Sequence, residues 1–74
     1  VSLKPVSADK LIKILAKTGF KPVRQKGSHI ILRHPDGRST VIPNHPGEEI
    51  GRGLLLKILR DVSLTREDYL KLVK

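Results

Sequence analysis

Proton transfer near neutral pH needs a group that exchanges a proton there, and in this chain only the histidines offer one by ordinary chemistry. There are three, His29, His34 and His45, and no cysteine to supply a thiolate. None of them sits in a spacing that closes a metal site. With no thiol ligand and no His-Glu-x-x-His helix, neither a metal nor another cofactor is expected. His29 follows Gly27-Ser28 inside the most basic stretch of the sequence. That stretch carries Lys17, Lys21, Arg24, Lys26, Arg33 and Arg38 against a single acid, Asp36. An accessible imidazole in a cationic field suits RNA cleavage. Its ordinary pKa of ~6.5 lets it act as base or acid near neutrality, while Lys or Arg offsets charge developing on the phosphate. The plainer alternative is a surface histidine on a soluble basic strand. His34, ahead of Pro35-Asp36-Gly37, reads as a turn-shaping or phosphate-contacting residue. His45, in Asn44-His45-Pro46-Gly47, reads as part of a loop.

The elements around these residues follow from their periodicity. A helix is predicted over residues 8–18, N-capped by Ser7, with Asp9 in its first turn. Ala8, Leu11, Ile12, Leu15 and Ala16 form its apolar face. Gly19 is the expected left-handed stop, and Phe20 folds back on Leu15. From Lys21 the period changes to two. Strands are predicted over residues 21–26, 28–34 and 39–43, with Pro22 allowed only at a strand start or on an edge. Pro35-Asp36-Gly37 is a turn, so the strands form an antiparallel meander. A second helix is expected over residues 51–61, on Ile50, Leu54, Ile58 and Val62 with Leu55 and Leu59 alongside. Thr65 caps a third over residues 66–73, with Leu64 placed to staple onto Tyr69.

The order helix, three strands, helix, helix predicts an α+β fold. Both main helices bury an apolar stripe, and one face of the sheet is the surface available to them. The expectation is a three-stranded antiparallel sheet with helices on one face, α-β-β-β-α with a short C-terminal helix. This is the layout of the double-stranded RNA-binding domain. Residues 1–74 read as one domain with a core at about 7–64. Within the second strand, Ser28, Ile30, Leu32 and His34 share one side, and His29, Ile31 and Arg33 the other. An unpaired guanidinium is costly to bury, so Arg33 marks the open side and His29 is expected there with it. Ile31 is apolar on that open side. It reads either as partly buried under a loop or as a docking surface for another protein.

Composition narrows the partner. Fifteen Lys+Arg against seven Asp+Glu give a formal net charge of +8, which favours a polyanion such as RNA. Phe20 and Tyr69 are the only aromatics. Base stacking on aromatic platforms is therefore poorly supplied, and phosphate contacts and shape are expected to dominate. No run approaches the ~20 apolar residues of a membrane span, so no membrane partner is expected. Val1 to Ser7 lack a signal-peptide h-region. Together with the absence of cysteine, this makes a cytoplasmic location the expectation.

Leu11-Ile12-Lys13-Ile14-Leu15, Gly19-Phe20, Gly27-Ser28-His29, His34-Pro35-Asp36-Gly37-Arg38 and Val41-Ile42-Pro43, in this order, resemble the HicA family of HicA–HicB toxin–antitoxin systems. The resemblance runs over about residues 7–64. It implies a double-stranded-RNA-binding-like fold and a toxin that is an mRNA-cleaving endoribonuclease. It also implies a HicB-like antitoxin covering the His29 face. The family's catalytic histidine maps onto His29, and Gly27 and Ser28 match its motif. Many members carry a second histidine directly after the first, where this chain has Ile30. The expected site is therefore His29 as the catalytic residue, with Arg24, Lys26, Gly27, Ser28, Arg33 and Arg38 binding RNA and no metal. The alternative is a non-catalytic RNA-binding module of the same fold. A protein-interaction domain answering an acidic partner is the least favoured reading.

Overall fold

The computed structural model describes residues 3–45 and 47–73. Its elements are β1 (Val6–Ser7), α1 (Ala8–Ala16), β2 (Lys21–Lys26), β3 (His29–Arg33), β4 (Ser39–Pro43), β5 (Glu49–Ile50), α2 (Arg52–Asp61) and α3 (Arg66–Val73). Strands β2, β3 and β4 form an antiparallel sheet in that spatial order. Helix α1 packs on β2 and β4, α2 packs on β4, and α3 leans on both helices. The shortest dimension of the molecule is 19 Å, which is what one sheet plus one helix layer fills. The expected α+β layout with one open sheet face is present.

Local chemistry sets the helix ends. The Ser7 hydroxyl accepts a bond from the Lys10 N–H at 3.2 Å, and the Thr65 hydroxyl accepts one from the Asp68 N–H at 3.0 Å. At the end of α1, the Phe20 N–H reaches the Leu15 carbonyl at 3.3 Å and the Gly19 N–H reaches the Ala16 carbonyl at 3.1 Å. These are the paired bonds of a Schellman ending, and Gly19 takes the positive φ of +102° that it requires. The reversal drops Phe20 fully into the core.

Leu32 and Ile42 from the sheet meet Leu11, Leu15, Leu55, Ile58 and Val62 from the helices, all essentially inaccessible to water. Two positions differ from the periodic expectation. Ile14 is buried in place of Ala16, because α1 contacts α3 as well as the sheet and so buries a wider arc. Leu54 is exposed while Leu55 and Leu59 are buried, because α2 turns their side of the helix to the sheet. Strands β1 and β5 were not expected. They pair Val6 with Ile50 and Ser7 with Glu49, tying the entry of α1 to the entry of α2. Two-residue strands carry no periodicity to read. Helix α1 and strand β3 are also shorter than expected, and Ser28 lies in a turn rather than a strand.

A polar latch closes the sheet end farthest from His29. The His34 ring lies 5.1 Å from the Phe20 ring, centroid to centroid, with Nε2 3.0 Å from the Thr18 carbonyl. The Asp36 N–H donates to His34 Nδ1 at 3.1 Å, so the neutral ring carries its proton on Nε2 and donates it to Thr18. Asp36 Oδ1 also lies 3.0 Å from Nδ1, a pairing that strengthens only when the ring is protonated. A Cβ on Gly19 would stand 2.8 Å from His34 Nε2. Gly19→Ala therefore strains the backbone and displaces the ring together. It is expected to lose about 1–2 kcal/mol or more, lowering the melting temperature by roughly 4–8 °C per kcal/mol in thermal unfolding. An unchanged melting temperature would contradict the latch.

Candidate nucleic-acid interface

The antiparallel register assembles the open face row by row, because residues directly opposite each other point to the same side. Lys26, His29 and Pro43 form the first row, Arg24, Ile31 and Val41 the second, and Lys21, Arg33 and Ser39 the third. His29, Arg33, Arg24, Lys26 and Lys21 are exposed and Ile31 is half-buried, whereas Ile30 and Leu32 are buried beneath. The strand parity read from the sequence holds at every position from His29 to Arg33. Cations thus run down the β2 side of the face, and the apolar pair Ile31 and Val41 fills its centre and β4 side. None of these cations joins an ion pair among the described residues.

His29 is the first residue of β3, directly after the β2–β3 turn. That turn holds two residues, Gly27 and Ser28, between the paired Lys26 and His29. Gly27 has φ +62° and no atom within 4 Å of where a Cβ would stand, so its conformation rather than crowding calls for glycine. The Gln25 side-chain amide donates to the Gly27 carbonyl at 3.2 Å, and the Asn44 N–H donates to the Ser28 carbonyl at 2.6 Å. The turn that carries His29 is therefore held from both neighbouring strands. No hydrogen bond orients the His29 ring among the described residues.

Arg38 does not join this face. It sits in the latch, with Nε 2.7 Å from Asp36 Oδ2, Nη1 donating to the Val62 carbonyl, and its guanidinium 5.3 Å from the Phe20 ring centre. The backbone N–H of Arg38, followed by its side chain, holds the Asp36 carboxyl below its ordinary range, although desolvation opposes this. Sequence clustering grouped Arg38 with the candidate RNA-binding cations, but the fold uses it to join the β3–β4 turn to the end of α2. The register shows two things that the sequence reading missed. Pro43 and Val41 belong to the open face, and the chain leaving β4 passes beside His29. Counting outward from the Pro35-Asp36-Gly37 turn would have found both.

No group of three or more His, Asp or Glu side chains among the described residues is placed to hold a metal ion. No helix among them is long and apolar enough to cross a membrane. The separation of latch from open face has a measurable consequence. Arg38→Ala removes charged hydrogen bonds and is expected to destabilise by about 1.5–3 kcal/mol. Arg24→Ala and Arg33→Ala should stay within about 0.5 kcal/mol of the parent in denaturant titrations. Equal losses at Arg38 and Arg24 would contradict this division.

A family model described as HicA toxin of bacterial toxin-antitoxin matches residues 8–64. It spans the first two helices and the whole sheet and stops before α3. No curated protein matches the chain.

Proposed function

The chain belongs to the HicA family, the toxins of bacterial toxin–antitoxin systems, and from that premise we propose that it is an endoribonuclease that cleaves mRNA with His29 as its base. The observation that carries this reading is the exposed imidazole of His29 beside Lys26, on a sheet face lined by unpaired cations. Arg24, Lys26 and Arg33 hold the phosphates, and the Gly27-Ser28 turn lets the backbone approach the strand. His29 takes the proton of a ribose 2′-hydroxyl. The 2′-oxygen then attacks phosphorus, the bond to the 5′-oxygen breaks, and the products are a 2′,3′-cyclic phosphate and a 5′-hydroxyl end. This route needs no metal. The half-buried Ile31 and exposed Val41 lie on the same face and match no phosphate. They suit a HicB-like antitoxin that covers His29 by docking there.

The unoriented His29 ring favours the second reading, a non-catalytic RNA-binding module of the same fold. His29→Ala separates the two. The ribonuclease reading expects a loss of about 10²-fold or more in cleavage rate with little change in RNA affinity. Equal cleavage by variant and parent would sink it. A substrate with a single 2′-deoxy position should resist cleavage there, and full-rate cleavage at that position would exclude 2′-hydroxyl attack.

The phosphate contacts have their own signature. Arg24→Ala, Lys26→Ala and Arg33→Ala should each lower the slope of log affinity against log salt by about 0.7 per lost contact on single-stranded RNA. Arg38→Ala should leave the slope unchanged. A slope insensitive to all three of these substitutions would place the RNA elsewhere.

A further inference from the structure

The transesterification above leaves one proton unassigned. When the bond from phosphorus to the 5′-oxygen breaks, that oxygen departs as an alkoxide unless an acid protonates it. A positioned acid is worth about 10²–10⁴-fold for such a step. In an in-line displacement the acid must stand across the phosphate from the base, beside the leaving oxygen. Among the described residues, Lys26 on β2 stands opposite His29, and His45 follows β4 at the same end, sharing a recess with the carboxylates Glu48 and Glu49. At neutral pH an ordinary lysine holds its proton too tightly and an ordinary glutamate has already lost it, whereas imidazole both carries and releases one.

The backbone brings His45 to this place. Pro43 pairs with His29, and the Asn44 N–H continues the ladder to the Ser28 carbonyl at 2.6 Å. The next residue is His45, two positions beyond the partner of His29. In a ladder continued by those two residues, diagonal neighbours stand about 7–8 Å apart, a separation that a phosphate bridges. Gly27 has no side chain and nothing within 4 Å of where one would begin, so the turn beside His29 leaves room for a ligand. The His45 carbonyl accepts the Glu48 N–H at 3.0 Å, which fixes the loop at its far side. His45 is exposed and lines a recess with Pro43, Glu48, Glu49 and Leu54.

Building on the ribonuclease reading, we propose that His45 is a second catalytic residue, the acid that protonates the departing 5′-oxygen. His29 gains the proton of the 2′-hydroxyl and His45 gives one to the 5′-oxygen, so the step is proton-neutral. Both rings then return to their starting states by exchange with water. Glu48 and Glu49 line the recess with His45, and Lys26 stands opposite His29 on the sheet.

A leaving group that needs no proton isolates this role. The full chain is assayed on an oligonucleotide with one cleavable ribose, carrying either the natural 5′-oxygen or a bridging 5′-sulfur. His45→Ala should lose about 10²-fold or more on the oxygen substrate. It should recover to within about 10-fold of the parent on the sulfur substrate, and the alkaline fall of the parent's pH–rate profile should disappear. His29→Ala should be slow on both. Parent-like cleavage of the oxygen substrate by His45→Ala overturns the assignment, as does an equal loss on both substrates. His45→Gln, which keeps a polar side chain, must show the same sulfur rescue, and a melting temperature near the parent's excludes misfolding in either variant. If the parent cleaves neither substrate, the ribonuclease reading fails and the assignment falls with it. If the parent cleaves and only the His45 variants disagree, the fault lies with the assignment alone.

Discussion

Every functional placement in this chain depends on the register of β3 between its two neighbours. A strand alternates its side chains, so a slip of one residue would carry His29 and Arg33 into the core and bring Ile30 and Leu32 out to water. Burying an aliphatic side chain such as Leu32 is worth ~1.5–3 kcal/mol, and an unpaired buried guanidinium costs far more than a lost contact. The core thus selects the register, and the register selects which residues meet on the other side. Lys26, His29 and Pro43 share a row because Leu32 and Ile42 must share the core beneath.

The latch at the opposite end keeps that register in phase. Strands β3 and β4 are joined by a short turn in which the His34 N–H donates to the Arg38 carbonyl at 2.8 Å and the Gly37 N–H to the His34 carbonyl at 2.9 Å. The His34 ring ties this turn to the end of α1, and the Arg38 guanidinium ties it to the end of α2. The buried Thr40 hydroxyl adds a bond from β4 to Asp61 on α2 at 3.3 Å. Three side chains thus connect the sheet to both main helices by hydrogen bonds that have direction, where apolar packing alone would leave the layers freer to slide.

Much of this was legible in the sequence. The period-two run after Gly19, the turn residues and the caps at Ser7 and Thr65 express local chemistry, and the structure repeats them. Parity alone assigned His29 to the open face, because that inference needs one strand and one charged residue. What stayed hidden involves contacts between distant segments. A basic residue in a basic cluster gives no sign that its guanidinium reaches the carbonyl of Val62, as Arg38 does. The strip of exposed Val41 and half-buried Ile31 appears only once the two strands are paired. The β1–β5 pair is too short to mark itself by pattern.

The latch and His29 occupy opposite ends of β3, a five-residue strand, so roughly 13 Å of backbone separates them. Residues that keep the chain folded are therefore largely different from those proposed to meet RNA. For a protein harmful to its own cell, this separation shapes heredity. On the reading proposed above, substitutions that silence His29 leave an intact fold with Ile31 and Val41 still presented to the antitoxin. On that reading a silenced copy is a folded decoy, and a later change at the same few exposed positions would restore or redirect the activity without rebuilding the scaffold.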